Sequence, residues 1–238
     1  KNLDGSREES ISGDIIFSTM PVKDLFLGLT DDSLSKDIRE IATKLEYRDF
    51  MTVGILVNKL RIKNNTAQKT VNDLVPDNWI YIQERDVKVG RLQIFNNWSP
   101  YMVKDPVNTV WVGMEYFVNE DDELWNKTDQ DMKDFAAGEL DKLGIINKED
   151  LLDSIVVRVP KAYPAYWGTY SRFDKVKQYI NSIDNLYLVG RNGMHKYNNQ
   201  DHSMLSSMVA VDNILEGIKD KSNVWLVNPE DEYHEEAK

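Results

Sequence analysis

The fold reading turns on Leu186-Tyr187-Leu188-Val189-Gly190, then Arg191-Asn192-Gly193-Met194-His195-Lys196-Tyr197-Asn198-Asn199, then Gln200-Asp201-His202-Ser203-Met204. The first five residues are a short apolar run closed by glycine, the pattern of a buried strand. The next nine are polar and turn-forming. From Gln200, the residues Met204, Met208, Val211, Leu215 and Ile218 recur every three or four positions, which predicts a helix over residues 200–218 with that stripe in the core. A strand, a loop and a helix in this order place the loop at a strand's carboxyl end and a helix's amino end. In α/β folds that crevice receives ligands, because free N–H groups point into it. The helix end carries roughly half a positive charge.

Within the loop, Arg191 can grip an oxyanion with two parallel bonds, and Tyr197 can donate a hydroxyl hydrogen. Ordinary roles stand beside these. Asn198 or Asn199 can cap the helix, Arg191 can pair with a carboxylate, and Gly193 can serve a turn.

Working outward, residues 172–183 read as a helix, and residues 162–170 (AYPAYWGTY) are rich in aromatic side chains. Tyr163, Tyr166, Trp167 and Tyr170 can line a substrate cleft, stack on a base, or pack as interface. Residues 154–159 predict a strand. Residues 129–143 predict a helix with Met132, Phe135, Ala136 and Leu140 on one face, Thr128 as cap and Gly144 as stop. Between residues 47 and 146 the texture is β-type: residues 50–60, 79–83, 87–95 and 109–118 are rich in branched and aromatic residues. Turn-forming segments between them suit antiparallel connections. Near the start, residues 14–19 predict a strand, and residues 31–45 a helix capped by Asp31 or Asp32. The class is α+β, with a mostly antiparallel sheet inserted between two α/β pieces.

Composition narrows the function. The 238 residues carry a net charge of −11, so a duplex-binding surface is not expected, and neither is an anionic membrane partner. Apolar residues make up 41% of the chain, enough for a packed core. There is no cysteine, which removes disulfides, thiolate metal sites and a cysteine nucleophile. His195 and His202 lie too far apart, with too few neighbouring ligands, to predict a metal site. Residues 119–123 (NEDDE) read as a solvated turn without calcium-loop spacing. No nucleophile elbow and no phosphate-binding Walker loop occur. The polar start KNLDGSREES is not a signal peptide, and no apolar run is long enough to span a bilayer, so a soluble cytoplasmic protein is expected. The ending NPEDEYHEEAK reads as an acidic tail.

The string GRNGMHKYNNQDHSM, from Gly190 to Met204, resembles the C-terminal flavin-contact motif of UDP-galactopyranose mutases. There a Gly-Arg pair closes a strand and is followed by a Tyr-(Arg/Lys)-Tyr run and an Asp-containing helix start. Gly190 and Arg191 match the pair, Lys196 the basic position, Tyr197 the second Tyr and Asp201 the later Asp. His195 replaces the first Tyr, and Asn199 stands where Asp is usual. GDIIFSTMP (residues 13–21), NNWSPYM (residues 96–102) and AYPAY leading to NLYLVGR (residues 185–191) also resemble segments of the amine oxidase and protoporphyrinogen oxidase superfamily. The resemblance implies FAD as cofactor. It places Gly190, Arg191, Gln200, Asp201, His202 and Ser203 against the flavin, with the helix start at its pyrimidine edge. It implies a small-molecule substrate, such as a nucleotide sugar, held by Arg191, Tyr197, Asn199, Tyr163 and Tyr166. The departures at His195 and Asn199 point to the same scaffold acting on another substrate. His202 is the nearest candidate for a general base.

Members of that superfamily begin with a strand, G-x-G-x-x-G and a helix that cradle the pyrophosphate, and no such motif occurs here. The chain therefore reads as the C-terminal part of an FAD-dependent oxidoreductase or mutase, inactive and weak in flavin affinity alone. Its expected parts are a re-entry strand and helix (1–46), a substrate domain (47–170), a flavin-contact segment (171–220) and a tail (221–238). Homo-oligomerisation is compatible with this reading. The competing reading is a non-catalytic ligand-binding or interaction domain built on the same scaffold.

Overall fold

The computed structural model describes residues 10–227. In chain order the elements are β1 (Ile16–Ser18), α1 (Val22–Gly28), α2 (Lys36–Thr43), β2 (Tyr47–Val57), β3 (Trp79–Tyr81), β4 (Arg91–Ile94), α3 (Phe95–Trp98) and β5 (Val110–Val118). Then follow α4 (Asp129–Lys142), β6 (Leu151–Pro164), α5 (Asp174–Asn181), β7 (Leu186–Leu188), α6 (Gly190–Gly193), α7 (Gln200–Glu216) and α8 (Ser222–Trp225). The class is α+β. Two compact units form, one from Lys1–Tyr47 with Tyr163–Lys238, the other from Arg48–Ala162. Among the described residues, no helix is long and apolar enough to cross a membrane.

The unit from Arg48–Ala162 is a five-stranded sheet in the order β3-β4-β5-β2-β6. β2 and β5 run antiparallel, with Met51 opposite Tyr116, Val53 opposite Met114 and Ile55 opposite Val112. Side chains alternate across a strand, so these residues share one face. They pack with Met132, Ala136 and Leu140 of α4 into a closed core. Thr128 caps α4 through the Asp131 N–H, as its sequence position predicts. Gly144 follows α4 with φ +72°, the left-handed stop. Glu139 is buried on α4 and accepts bonds from the Lys88 N–H, the Val89 N–H and the Tyr116 hydroxyl.

In the other unit, β1 and β7 form a two-stranded parallel sheet with Ile16 opposite Leu186, Phe17 opposite Tyr187 and Ser18 opposite Leu188. Leu186 and Leu188 join a core with Phe26 of α1, Ile41 of α2 and Val176 and Ile180 of α5. Tyr187 and Val189 pack instead with Ala210 of α7 and Val224 of α8. β7 is thus covered on both faces, as its uninterrupted apolar run requires.

Four local expectations are corrected. Helix α2 starts at Lys36, capped by the Ser35 hydroxyl, not by Asp31 or Asp32. Asp31 is used elsewhere: its carboxylate accepts the Ser33 N–H and the Tyr179 hydroxyl. The strand expected over residues 87–95 shrinks to β4: residues 87–90 stay outside the ladder, and Phe95 opens a helical turn. The stretch from residue 221 begins with α8, so the tail does not start there; residues 228–238 lie outside the described residues, as do residues 1–9. The largest correction concerns α7. Met204, Met208, Val211, Leu215 and Ile218 are exposed (66%, 59%, 43%, 79% and 40%), not core. Ser206, Ala210 and Asn213 are the buried residues of that helix. Small and polar side chains let α7 approach β7 closely, and the Ser206 hydroxyl accepts the Gly190 N–H at 3.0 Å.

Candidate functional site

The carboxyl ends of β1 and β7 lie side by side, joined by a bond from the Val189 N–H to the Ser18 carbonyl at 3.1 Å. There the chain leaves β7 through Gly190, whose φ of +76° suits glycine. α6 then turns back against β1. A Cβ on Gly193 would stand 2.5 Å from the Ser18 carbonyl oxygen, so only glycine permits this approach. Gly193 therefore does more than serve a turn.

Arg191 organises the loop that follows. Its Nε and Nη2 both donate to the Asn198 carbonyl, at 3.0 and 2.7 Å. Its guanidinium lies 4.7 Å from the Tyr197 ring centre and 5.3 Å from that of Tyr163. Those two rings are stacked, 5.9 Å apart and 13° from parallel. Arginine faces suit such aromatic surfaces. The Tyr197 N–H donates to the Tyr166 hydroxyl at 2.6 Å. Five of the sequence-derived candidates, Arg191, Tyr197, Tyr163, Tyr166 and Ser203, are thus gathered around one loop, Ser203 through its hydroxyl bond to the Asn198 side chain.

The amino end of α7 opens outward. Asn199 holds the cap position, but its side chain makes no capping bond. Asn199, Gln200 and Asp201 are exposed, while His202 and Ser203 are half-buried. The first-turn N–H groups have no side chain covering them, so the positive end of the helix dipole faces outward beside Arg191. His202 Nδ1 is 3.4 Å from the Asp201 carboxylate and makes no hydrogen bond. The Ser18 hydroxyl and the Asn192 amide oxygen are also buried without a partner. Unsatisfied buried polar atoms are costly, and here they belong to β1, α6 and the first turn of α7.

His195 has a different role from the surrounding polar loop. It is fully buried with φ +47°. Its ring packs edge-on to Tyr47 at 4.8 Å and lies near Tyr170 and Phe173. Its Nε2 lies 3.0 Å from the Ala165 carbonyl, which assigns the hydrogen to Nε2. Burial lowers its pKa to about 4, only partly opposed by that bond, so the ring is neutral at pH 7. Little in a lone sequence marks it as core, since the stretch from Arg191 to Asn199 is mostly polar despite Met194. Tyr166 and Tyr170 pack on each other, and the Trp167 indole donates to Glu46.

The sheet unit presents a second feature. On the face opposite its core, Gly54 and Gly113 are in register. A Cβ on Gly54 would meet Trp111 at 3.1 Å, and one on Gly113 would meet Phe95 at 2.8 Å. The aromatic rings therefore lie on bare backbone, beside an apolar hollow of about 320 Å³ that Thr52, Met102, Ile155 and Val157 complete. On the same face Arg91 pairs with Glu115 and lies between Trp79 and Phe117, 4.8 and 4.6 Å from their ring centres. The alternation of Thr52 and Gly54 with Trp111 and Gly113 was the available signal for this face.

Among solved structures, reduced UDP-galactopyranose mutase superposes on 93% of this chain with a TM-score of 0.73 and 23% sequence identity. The chain shares its fold with UDP-galactopyranose mutase. It covers 45% of the mutase chain, less than half of that protein's length. A putative protoporphyrinogen oxidase from Exiguobacterium sp. 255-15 matches 75% of this chain at a TM-score of 0.52 and 16% identity, and 36% of its own length is covered. No family model and no curated protein sequence matches the chain. The likeness to the mutase spans both units, so the fold implied by Gly190–Met204 is borne out.

Proposed function

We propose that this chain supplies the substrate domain and the flavin-contact segment of an FAD-dependent oxidoreductase or nucleotide-sugar mutase. The observation that carries the reading is the uncapped amino end of α7 beside Arg191, at the carboxyl ends of two parallel strands. That position suits an electron-rich ring edge. The partnerless Ser18 hydroxyl and Asn192 oxygen fit a polar ligand there. The mutase fold adds to this.

In this reading Gly190, Gln200, Asp201, His202 and Ser203 hold the flavin edge through backbone N–H groups and short polar side chains. Bound FAD supplies the electron chemistry or, in a mutase-like reaction, a nucleophile. The chain's own residues orient and exclude. Arg191 fixes the loop through Asn198 and keeps Tyr197 stacked on Tyr163, which sets the Tyr197 hydroxyl for a substrate phosphate. Asn199 and Tyr166 flank that position. His202 sits on the first turn with an unbonded Nδ1, where it can accept a proton.

The test uses the protein joined to a dinucleotide-binding α/β segment that carries G-x-G-x-x-G. It should purify yellow, and UDP-sugars should bind more weakly to Arg191→Ala, by about tenfold or more for a lost charge-assisted contact. Colourless protein with unchanged UDP-sugar affinity would leave only the ligand-binding alternative. Absence of both flavin and UDP-sugar binding would remove the reading altogether.

A further inference from the structure

Two glycines in register shape the hollow on the outer face of the five-stranded sheet. Gly54 and Gly113 stand opposite each other in β2 and β5, away from the sheet's edges. Glycine weakens a strand interior, and its presence there marks a place where something lies against bare backbone. The rings of Trp111 and Phe95 take part of that space, and a Cβ on Gly54 or Gly113 would strike them. About 320 Å³ beside these rings stays open.

The lining is apolar and unusually bare. Ile155 and Val157 of β6 are 54% and 42% exposed, and Met102, in the turn after α3, is 54% exposed. Thr52 contributes the one side-chain hydroxyl, and no lining residue is charged. Beyond Thr52 the face turns polar. Glu115 lies opposite Thr52 and also opposite Arg91, so the three form one row across β2, β5 and β4. Arg91 and Glu115 pair at 2.6 Å, both buried, and the Gln93 amide donates to the same carboxylate. The pair cancels its own charge, which leaves this border polar and neutral.

Volume and border together define what fits. A dry apolar cavity of about 150 Å³ takes benzene, so about twice that volume suits about ten to twelve carbon atoms. Concave apolar recesses with a few polar groups at the border are how proteins hold small molecules. A flat partner surface would leave such a recess unfilled, which close packing disfavours. We infer that this hollow receives the hydrocarbon part of a small amphiphile, a chain or ring system of about ten carbon atoms, with its uncharged polar body along Thr52, Glu115 and Gln93. Hydroxyl groups suit that border, and a phosphate does not, because Glu115 already balances Arg91. That the amphiphile is the substrate rests on the flavoprotein reading; that the hollow holds it does not.

Alkyl β-glucosides with hexyl, octyl, decyl and dodecyl chains, kept below micelle formation, test this on the 238-residue chain with isotope-labelled methyl groups. Saturable shifts are expected at Met102, Ile155 and Val157, and none at Met208 or Leu226, which are exposed elsewhere. Affinity should rise about fourfold per added methylene and level off near decyl, where the hollow is full. Val157→Trp fills the hollow and should weaken decyl glucoside at least about tenfold, while the Met132 and Leu140 signals of the core hold still. Should that variant fail to fold, Met102→Asp, outside the strands, should weaken it about fivefold or more. Shifts as large at Met208 and Leu226, affinity indifferent to chain length or still climbing at dodecyl, or binding indifferent to folded Val157→Trp or Met102→Asp would each overturn the inference. The titration is repeated on the protein joined to the G-x-G-x-x-G segment. Loss of binding there would show the hollow filled by protein and overturn it as well. Colourless joined protein that still binds decyl glucoside would keep the hollow and remove the flavin role; yellow protein that does not bind would do the reverse.

Discussion

Gly193 and Ser18 are in backbone contact: the space a Cβ on Gly193 would need is already held by the Ser18 carbonyl oxygen, 2.5 Å away. Gly193 has no positive φ, so its requirement is steric and not conformational. This contact sets the distance between β1 and the loop that carries Arg191. Gly193→Ala should therefore push α6 from β1 and destabilise the protein by about 1–3 kcal/mol, the range for overpacking. Urea unfolding read by circular dichroism measures it. Gly138→Ala is the control, because a Cβ there meets nothing within 4 Å, and alanine in a helix should stabilise by up to about 1 kcal/mol.

His195 makes stability depend on pH. Its folded pKa of about 4 lies below the ordinary 6.5, so the unfolded chain binds more protons between those values. Stability is then fully present above pH 6.5 and is lost as pH falls toward 4. A difference of this size is worth about 3 kcal/mol. In His195→Phe that increment should vanish from the difference between denaturation at pH 4.5 and pH 7. An unchanged pH slope would show that His195 is not the neutral, buried ring seen here.

Glu139 is a polar hub: helical periodicity puts it on the same face of α4 as Met132 and Ala136, where its charge alone suggests a surface position. The Lys88 and Val89 N–H groups and the Tyr116 hydroxyl all depend on its carboxylate. Glu139→Leu would leave the buried Val89 N–H and Tyr116 hydroxyl without an acceptor, and the half-buried Lys88 N–H as well, and each buried orphan costs about 1–3 kcal/mol. The expected loss is at least about 3 kcal/mol, with Tyr116→Phe costing less because it removes only one donor. Thermal unfolding of both variants orders them.

How far the sequence could be read follows from these residues. The strand at 186–189 and the loop after it were legible because apolar runs and glycine punctuation are local signals. The α4 cap at Thr128 and stop at Gly144 were legible for the same reason. The α7 stripe was legible as a helix and illegible as to side, since periodicity reports which residues share a face but not what covers that face. Ser206, Ala210 and Asn213 look like a solvent face in composition, yet they are the buried one. His195 and Glu139 were hidden because a polar residue becomes core only through partners distant in sequence, Ala165 for one and Lys88 for the other. Arg191, Tyr197 and Tyr163 each stand out in the sequence, but only the fold brings residues 163 and 197 together to stack.

Arg191 offers the sharpest separation of charge from geometry. Lysine keeps the charge but cannot donate two parallel bonds from one planar group, nor lie flat against an aromatic ring. In Arg191→Lys the pair of bonds to the Asn198 carbonyl should be reduced to one, and the contact with the Tyr197 face weakened. The loop then opens more often, and α7 keeps its helix because Ser206 still anchors Gly190. Amide exchange at Tyr197, whose N–H is held by the Tyr166 hydroxyl, should quicken about tenfold, matching a loss of about 1–2 kcal/mol in local opening. Exchange at Ile55 and Val112, in the core of the other unit, should not change. If Tyr197 exchanges at the wild-type rate in the lysine variant, the planar grip on Asn198 is not what holds the loop, and the site's order comes from its other contacts, the tyrosine stack and the Tyr166 hydroxyl among them.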